Sequence, residues 1–240
     1  MHRALKKSLS LLLTLPLLAC GLLLALAASE GGSRLLAEQA RRWSAGALEW
    51  GDMQGRLLGP LRLENLNIRS PGLELEVRAL SLDWSPGALL AGRLDIASLE
   101  ATGIRARLEE TEAEPTEAAA WRPQDLSPPV DVRLGRLELV DLRWRSGDNP
   151  PQSIERITAS AALENRQLVL TELDVRAPQG FVEASGEAGF EENLPLRLDL
   201  RWQWRLPDQR FAGGQLVAEG DAARLELRHS GSGELPVNLG

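Results

Sequence analysis

Residues 196–204 read Leu196-Arg197-Leu198-Asp199-Leu200-Arg201-Trp202-Gln203-Trp204, a strict alternation of apolar and polar side chains. Successive side chains of a β-strand point to opposite faces, so this stretch specifies a strand with one greasy and one wet face. The same period of two occurs at Leu61-x-Leu63, Leu73-x-Leu75-x-Val77, Leu80-x-Leu82-x-Trp84, Val130-x-Val132-x-Leu134 and Leu168-x-Leu170. From Leu57 onward the chain is therefore expected to be β. A period of 3.6 is confined to Arg34–Trp43, where Leu35, Leu36, Ala40 and Trp43 fit one short helix, and Ser44, Gly46 and Gly51 end the helical signal.

A longer template repeats within the β region. Gly59-x-Leu61-x-Leu63-x-x-Leu66 recurs as Gly92-x-Leu94-x-Ile96-x-x-Leu99 and as Gly135-x-Leu137-x-Leu139-x-x-Leu142, and Leu168-x-Leu170-x-x-Leu173 follows without the glycine. The unequal spacing of the copies predicts hairpins or meanders in an open-ended array rather than a closed barrel. A step of two followed by a step of three breaks the inside/outside phase as a β-bulge does, and repeated bulges curl a long sheet. The expected architecture is mainly β: a transmembrane helix, a short helix, then an elongated, curled, antiparallel-type sheet forming an apolar groove. An ordinary sandwich could also bury such faces. The greasy face here is mostly Leu, with few aromatic and β-branched partners, which suits contact with flexible apolar material better than close packing against a second sheet.

Composition excludes several function classes. Leu occurs 48 times in 240 residues, and a quarter of the chain is charged, which fits neither intrinsic disorder nor a polytopic membrane protein. His2, His229 and Cys20 are the only His and Cys residues, too few for a His/Cys zinc site, a Cys-His nucleophile or a Ser-His-Asp triad. No cofactor is expected. Beyond Arg3, Lys6 and Lys7 the chain carries 24 arginines against 34 acidic residues, an acidic body without a phosphate-binding groove, so nucleic acid is not an expected partner. The acidic residues alternate with leucines on wet strand faces, a solvated pattern rather than a catalytic carboxylate pair, and the protein is not expected to be an enzyme.

No charged residue occurs from Ser8 to Ser29, and Leu9 to Ala28 is almost entirely Leu and Ala. At about 1.5 Å per residue such a run spans about 30 Å, the thickness of a bilayer's hydrocarbon core. Arg3, Lys6 and Lys7 before it and Glu30 after it place the N-terminus in the cytoplasm and the body outside. Leu9, Leu12, Leu17, Leu22 and Leu26 are the expected anchor residues. Two other readings stand beside this one: Ala25-Leu26-Ala27 has the form of a signal-peptide cleavage site, and Leu17-Leu18-Ala19-Cys20 suggests a lipoprotein signal. The apolar run is longer than a signal peptide's core, which favours the uncleaved anchor.

The expected organisation is thus residues 1–29 as cytoplasmic N-terminus and anchor, 30–50 as a membrane-proximal helix, 51–108 as a first groove segment and 130–240 as a second. Between the two groove segments, residues 109–129 are too acidic and Pro-rich for a strand and read as a solvated loop. The ending Glu234-Leu235-Pro236-Val237-Asn238-Leu239-Gly240 stops in mid-pattern, as a fragment of a longer chain would.

From Arg42-Trp43 through Gly51, Gly55, Leu61-x-Leu63-x-x-Leu66-x-Ile68, Pro71-Gly72, Leu80-x-Leu82-x-Trp84, Leu89-Leu90-x-Gly92 and Leu94-x-Ile96-x-x-Leu99, the order of motifs resembles the N-terminal region of the TamB family, within the AsmA-like group of bacterial envelope proteins. Val130 to Trp204 looks like a looser continuation. The resemblance implies an inner-membrane protein with a periplasmic β-groove. It further implies phospholipid transport toward the outer membrane, outer-membrane protein assembly and autotransporter secretion, with phospholipid acyl chains as ligand and a TamA-type outer-membrane barrel as partner. The family's barrel-binding C-terminal region has no counterpart here. The groove candidates are Leu61, Leu63, Leu73, Leu75, Val77, Leu80, Leu82, Leu94, Ile96, Leu137, Leu139, Leu168, Leu170, Leu196, Leu198 and Leu200. The competing class is a membrane-tethered β scaffold without lipid cargo.

One expectation is testable from the N-terminal reading alone: Leu9 to Ala28 stays attached in the mature protein. N-terminal sequencing of the membrane-extracted protein should find the segment present, and a start at Ala28 or at a lipidated Cys20 would refute the anchor.

Overall fold

The computed structural model describes residues 27–109, 130–190, 193–206, 208, 210–221 and 223–233. Helix α1 (Glu30–Trp43) precedes twelve strands: β1 (Leu48–Glu49), β2 (Asp52–Gly55), β3 (Leu61–Ser70), β4 (Leu73–Ser85), β5 (Arg93–Leu108), β6 (Asp131–Ser146), β7 (Gln152–Glu164), β8 (Gln167–Ala177), β9 (Gly180–Gly189), β10 (Leu196–Arg205), β11 (Phe211–Gly220) and β12 (Leu225–Gly233). A 3₁₀ turn, Pro86–Ala91, joins β4 to β5. All twelve strands form one sheet in near-sequential order, with β1 and β2 both on the outer edge of β3 and β12 at the opposite edge. The sheet is long and curled but does not close on itself.

The short helix begins at Glu30, one turn earlier than its apolar spacing predicts. Ser29 caps it by accepting the Gly32 N–H at 3.1 Å, Glu30 sits at the positive end of the helix dipole, and Arg41 and Arg42 sit at the negative end. Ala45 (φ 51°) and Gly46 (φ 88°) turn the chain out of the helix. The β region also starts earlier than expected, at Leu48, with strands too short to show a period. Among the described residues no helix is long and apolar enough to cross a membrane. The anchor residues Leu9, Leu12, Leu17, Leu22 and Leu26 lie outside the described residues, as do residues 110–129 of the expected acidic loop.

The steps of three mark backbone kinks, only some of them true bulges. At Asn65, Gly103 and Asp141 the chain enters the left-handed region (φ 52°, 66° and 57°), while the register on either side stays constant, because neighbouring strands carry the extra residue at the same level. Arg78 of β4 lies opposite both Asn65 and Gly103. A Cβ at Gly103 would come within 2.9 Å of the Arg78 Cβ, so this position requires glycine both for its φ and for space. Register shifts occur elsewhere, between Asp83 and Trp84, Leu134 and Leu137, Ser160 and Ala161, and Leu170 and Leu173.

One pairing corrects the antiparallel expectation. Every neighbouring pair is antiparallel except β5 and β6, which run parallel over their whole length, from Arg93 beside Asp131 to Leu108 beside Ser146. Strands separated by a loop of twenty-odd residues carry no sequence signal of their relative direction. The consequence is a length requirement. The chain leaves β5 at one end of the sheet and enters β6 at the other, and 16 residues of strand cover about 50 Å at about 3.3 Å per residue. A fully extended connection therefore needs at least about 15 residues.

A loop of this composition would ordinarily tolerate deletion, but the parallel pairing limits how much can go. Replacing Glu110 to Ala120 by Gly and Ser residues of equal number should leave cooperative unfolding intact. Deleting the same segment outright should break or shift the β5–β6 pair, seen as early hydrogen exchange of Thr102 to Leu108 and of Val140 to Arg145.

Candidate apolar trough

The register places the apolar residues of successive strands side by side in rows. One row runs Leu61, Leu82, Leu99, Leu137, Ala159, Leu173, Ala184, Leu200, Leu216, from β3 to β11. Another runs Ile96, Leu134, Ala161, Leu170, Gly186, Leu198, Ala218, Leu227, and a third Met53, Leu63, Leu80, Ala101, Leu139, Ile157, Val175, Val182, Trp202. Leu94 and Val132 continue through Leu163, Leu168, Ala188 and Leu196 at the end of the sheet where β5 starts. Leu73, Leu75 and Val77 occupy rows toward the opposite end. All the leucine, isoleucine and valine candidates read from the sequence thus share one face, and the structure brings them onto a single continuous surface.

The residues that sequence reasoning missed are the small ones between them. Ala159, Ala161, Ala184, Gly186 and Ala188 stand on the same face as the leucines of β6, β8 and β10, so in two of the rows large and small side chains alternate from strand to strand. At Gly186 the neighbouring backbone leaves no room for a side chain: a Cβ there would lie 2.3 Å from the Arg197 carbonyl oxygen. The legible signal was the period-two run Val182-x-Ala184-x-Gly186-x-Ala188, with Glu183 and Glu187 between.

The apolar face has a packed cluster near one edge, where Leu66, Val77 and Ala101 are buried and Leu48, Trp50, Leu63, Ile68, Leu75, Leu80, Ile104 and Leu139 pack around them. Ala218 on β11 is buried as well, but the leucines of β6, β8 and β10 are only half-buried, and at the β12 edge Leu227 is 62% exposed. A sandwich core would bury them, and close packing leaves few voids. Among the described residues α1 packs mainly on β1, β2 and the Leu57 loop that follows β2, and the strands pack mainly on their sheet neighbours. This makes Leu139 a poor site for probing an open groove, because a charge there would disturb the packed cluster. Leu170 and Leu198 lie in the open part.

The opposite face carries a ladder of ion pairs between strands. Arg107 and Arg69 both reach Glu74 (3.2 and 3.7 Å), Arg133 reaches Glu164 (2.8 Å), and Arg176 and Arg201 both reach Glu183 (2.7 and 3.6 Å). Glu138, whose side chain is 16% exposed, accepts from Arg136 on its own strand and from Arg156 on β7 at 2.7 Å. The Arg136 hydrogen bond, with the charges of Arg136 and Arg156, holds the Glu138 carboxyl below the usual glutamate value of 4.5 despite its partial burial. Asp52 and Asp208 are lowered likewise, by Gln54 and Arg210 first. Carboxylates tuned in this direction are fixed as anions for pairing rather than poised to donate protons. No group of three or more metal-ligating side chains occurs among the described residues.

A family model described as TamB, N-terminal domain, matches residues 18–149 and again residues 124–240. No curated protein and no solved structure matches the chain.

A group whose folded-state pKa is depressed contributes stability above its ordinary pKa and loses it as pH falls through the folded value. Glu138→Gln should therefore lower the denaturation midpoint at pH 7 by an amount equivalent to about 1 kcal/mol or less, as exposed ion pairs do. The difference from the parent protein should shrink as the pH is taken below 4.5, which parallel denaturant titrations would reveal.

Proposed function

The chain belongs to the TamB N-terminal domain family, and on that premise we propose that its trough is a non-enzymatic conduit for phospholipid acyl chains in the bacterial envelope. In this reading residues 9–28 hold the protein in the inner membrane, and the sheet stands in the periplasm. Lipid moves along the apolar rows toward the outer membrane, in support of outer-membrane protein assembly and autotransporter secretion. A TamA-type barrel is the expected partner at the outer membrane.

The observation that carries the reading is the continuous apolar face, from Met53 on β2 to Leu227 on β12, left only half-buried through much of its width. Contiguous exposed apolar surface on this scale is costly in water and marks a surface with an apolar partner. Acyl chains fit because they are flexible and make no directional demand. The leucine rows offer them only dispersion and desolvation, while the wet face keeps its charges in solvent.

A photo-crosslinker in place of Leu198 should capture phospholipid in membranes, and one in place of Arg197, the adjacent residue on the wet face, should not. Leu198→Asp should leave the fold standing, since the carboxylate there can remain hydrated, and should block lipid passage. Equal capture at both positions, or unfolding of Leu198→Asp, would return the body to a close-packed scaffold.

A further inference from the structure

The end of the apolar N-terminal run is tied to one end of the sheet through a chain of four hydrogen bonds. The Ala27 carbonyl accepts from the Ser33 hydroxyl (2.8 Å) and from the Leu58 N–H (3.1 Å). Ser33, fully buried, also accepts the Leu57 N–H at 2.9 Å. The Leu57 carbonyl in turn accepts the indole N–H of Trp84 at 3.0 Å. The point where the run 9–28 meets the body is thus fixed beside Trp84, at the end of the sheet where β4 finishes and β5 starts.

Directly after Trp84 the chain makes the Pro86–Ala91 turn, and this tip differs from the other connections at the same end. From Ser85 to Gly92 there is no charged residue, with Asp83 and Arg93 as the nearest charges on either side. Leu89 is 45% exposed and Leu90 95% exposed. By contrast the β7–β8 turn contains Arg166, and the β11–β12 turn contains Asp221 and Arg224. Each of those tips is built for water. A leucine almost wholly in water gives up the full gain of burying its side chain.

We infer that the Pro86–Ala91 tip is a second membrane contact, with Leu89 and Leu90 inserted into the outer face of the bilayer beside the point where the anchor emerges. This rests on the reading of residues 9–28 as a membrane anchor. The tip also sits at the mouth of the trough, for the first inward residues beyond it are Trp84 beside Ile96 and Leu94 beside Val132. A second contact fixes the mouth at the headgroup boundary, where acyl chains can enter without crossing water.

The test uses the full chain in vesicles of phosphatidylethanolamine and phosphatidylglycerol carrying a nitroxide on the acyl chain. Three single-cysteine proteins are labelled with a polarity-sensitive fluorophore: the natural Cys20, Leu90→Cys with Cys20→Ser, and Asp148→Cys with Cys20→Ser at the far end of the sheet. The expected result is blue-shifted, quenched emission at positions 20 and 90 and neither effect at 148. Quenching at 20 with position 90 as exposed as 148 would overturn the second contact and leave the anchor standing. Absence of quenching at 20 would remove the anchor and this inference with it. Shielding of position 90 in detergent that grows with protein concentration would assign the tip to a second copy of the chain and overturn the membrane contact.

Discussion

The structure depends on keeping one apolar face continuous across the strands of a curled, unclosed sheet. Leucines of β6, β8 and β10 stand beside small residues of β7 and β9 in two of the rows, as in Leu137, Ala159, Leu173, Ala184, Leu200. In the row Leu139, Ile157, Val175, Val182, Trp202 large side chains stand beside one another instead. The kinks at Asn65, Gly103 and Asp141 change the backbone direction without changing the pairing.

The opposite face is wet and carries long, hydrated side chains. Arginine and glutamate fill it, and their cross-strand pairs add orientation and solubility more than stability, each contributing little when exposed. Glu138 between Arg136 and Arg156, and Glu183 between Arg176 and Arg201, each hold two guanidinium groups. The division of labour follows from the period-two alternation of the strands: apolar on one face, charge on the other. An open sheet of this length also has edges to protect. On the β3 side β1, β2 and α1 cover the edge, with Arg41 stacked over Trp50 at 5.8 Å, whereas β12 presents its outer edge without a partner among the described residues.

The β5–β6 junction is the one place where the chain interrupts its own up-and-down order, and yet the apolar rows pass through it without a break, Ile96 beside Leu134 and Ala101 beside Leu139. A parallel pair preserves the rows because both strands carry the same spacing of inward residues, two-three-two-three, from Leu94 to Ile104 and from Val132 to Leu142. The sequence repeat is therefore functional in the geometric sense: it lets two meanders join side by side with their greasy faces in phase. Family membership covers both meanders, with the two matched stretches meeting near this junction.

What the sequence determined by itself was local. Alternation such as Leu196-x-Leu198-x-Leu200 assigns a residue to a face whatever its neighbours are, because the pleat has a period of two. The leucine candidates from Leu61 to Leu200 could be read for that reason, and the steps of three flagged where the phase would break. Strands β7, β11 and β12 were not legible, since Ala, Gly, Ser and Thr give weak contrast against their polar neighbours and acquire meaning only as the small partners of leucines across the sheet, and β9 was legible only through the run Val182-x-Ala184-x-Gly186-x-Ala188. Strand direction at β5–β6, the packing of Leu139 into the Leu66, Val77 and Ala101 cluster, and the tie from Ala27 through Ser33 and Leu57 to Trp84 were decided by the tertiary structure alone. Each is a contact between segments far apart in the chain, and no local period encodes which distant residue will be the neighbour.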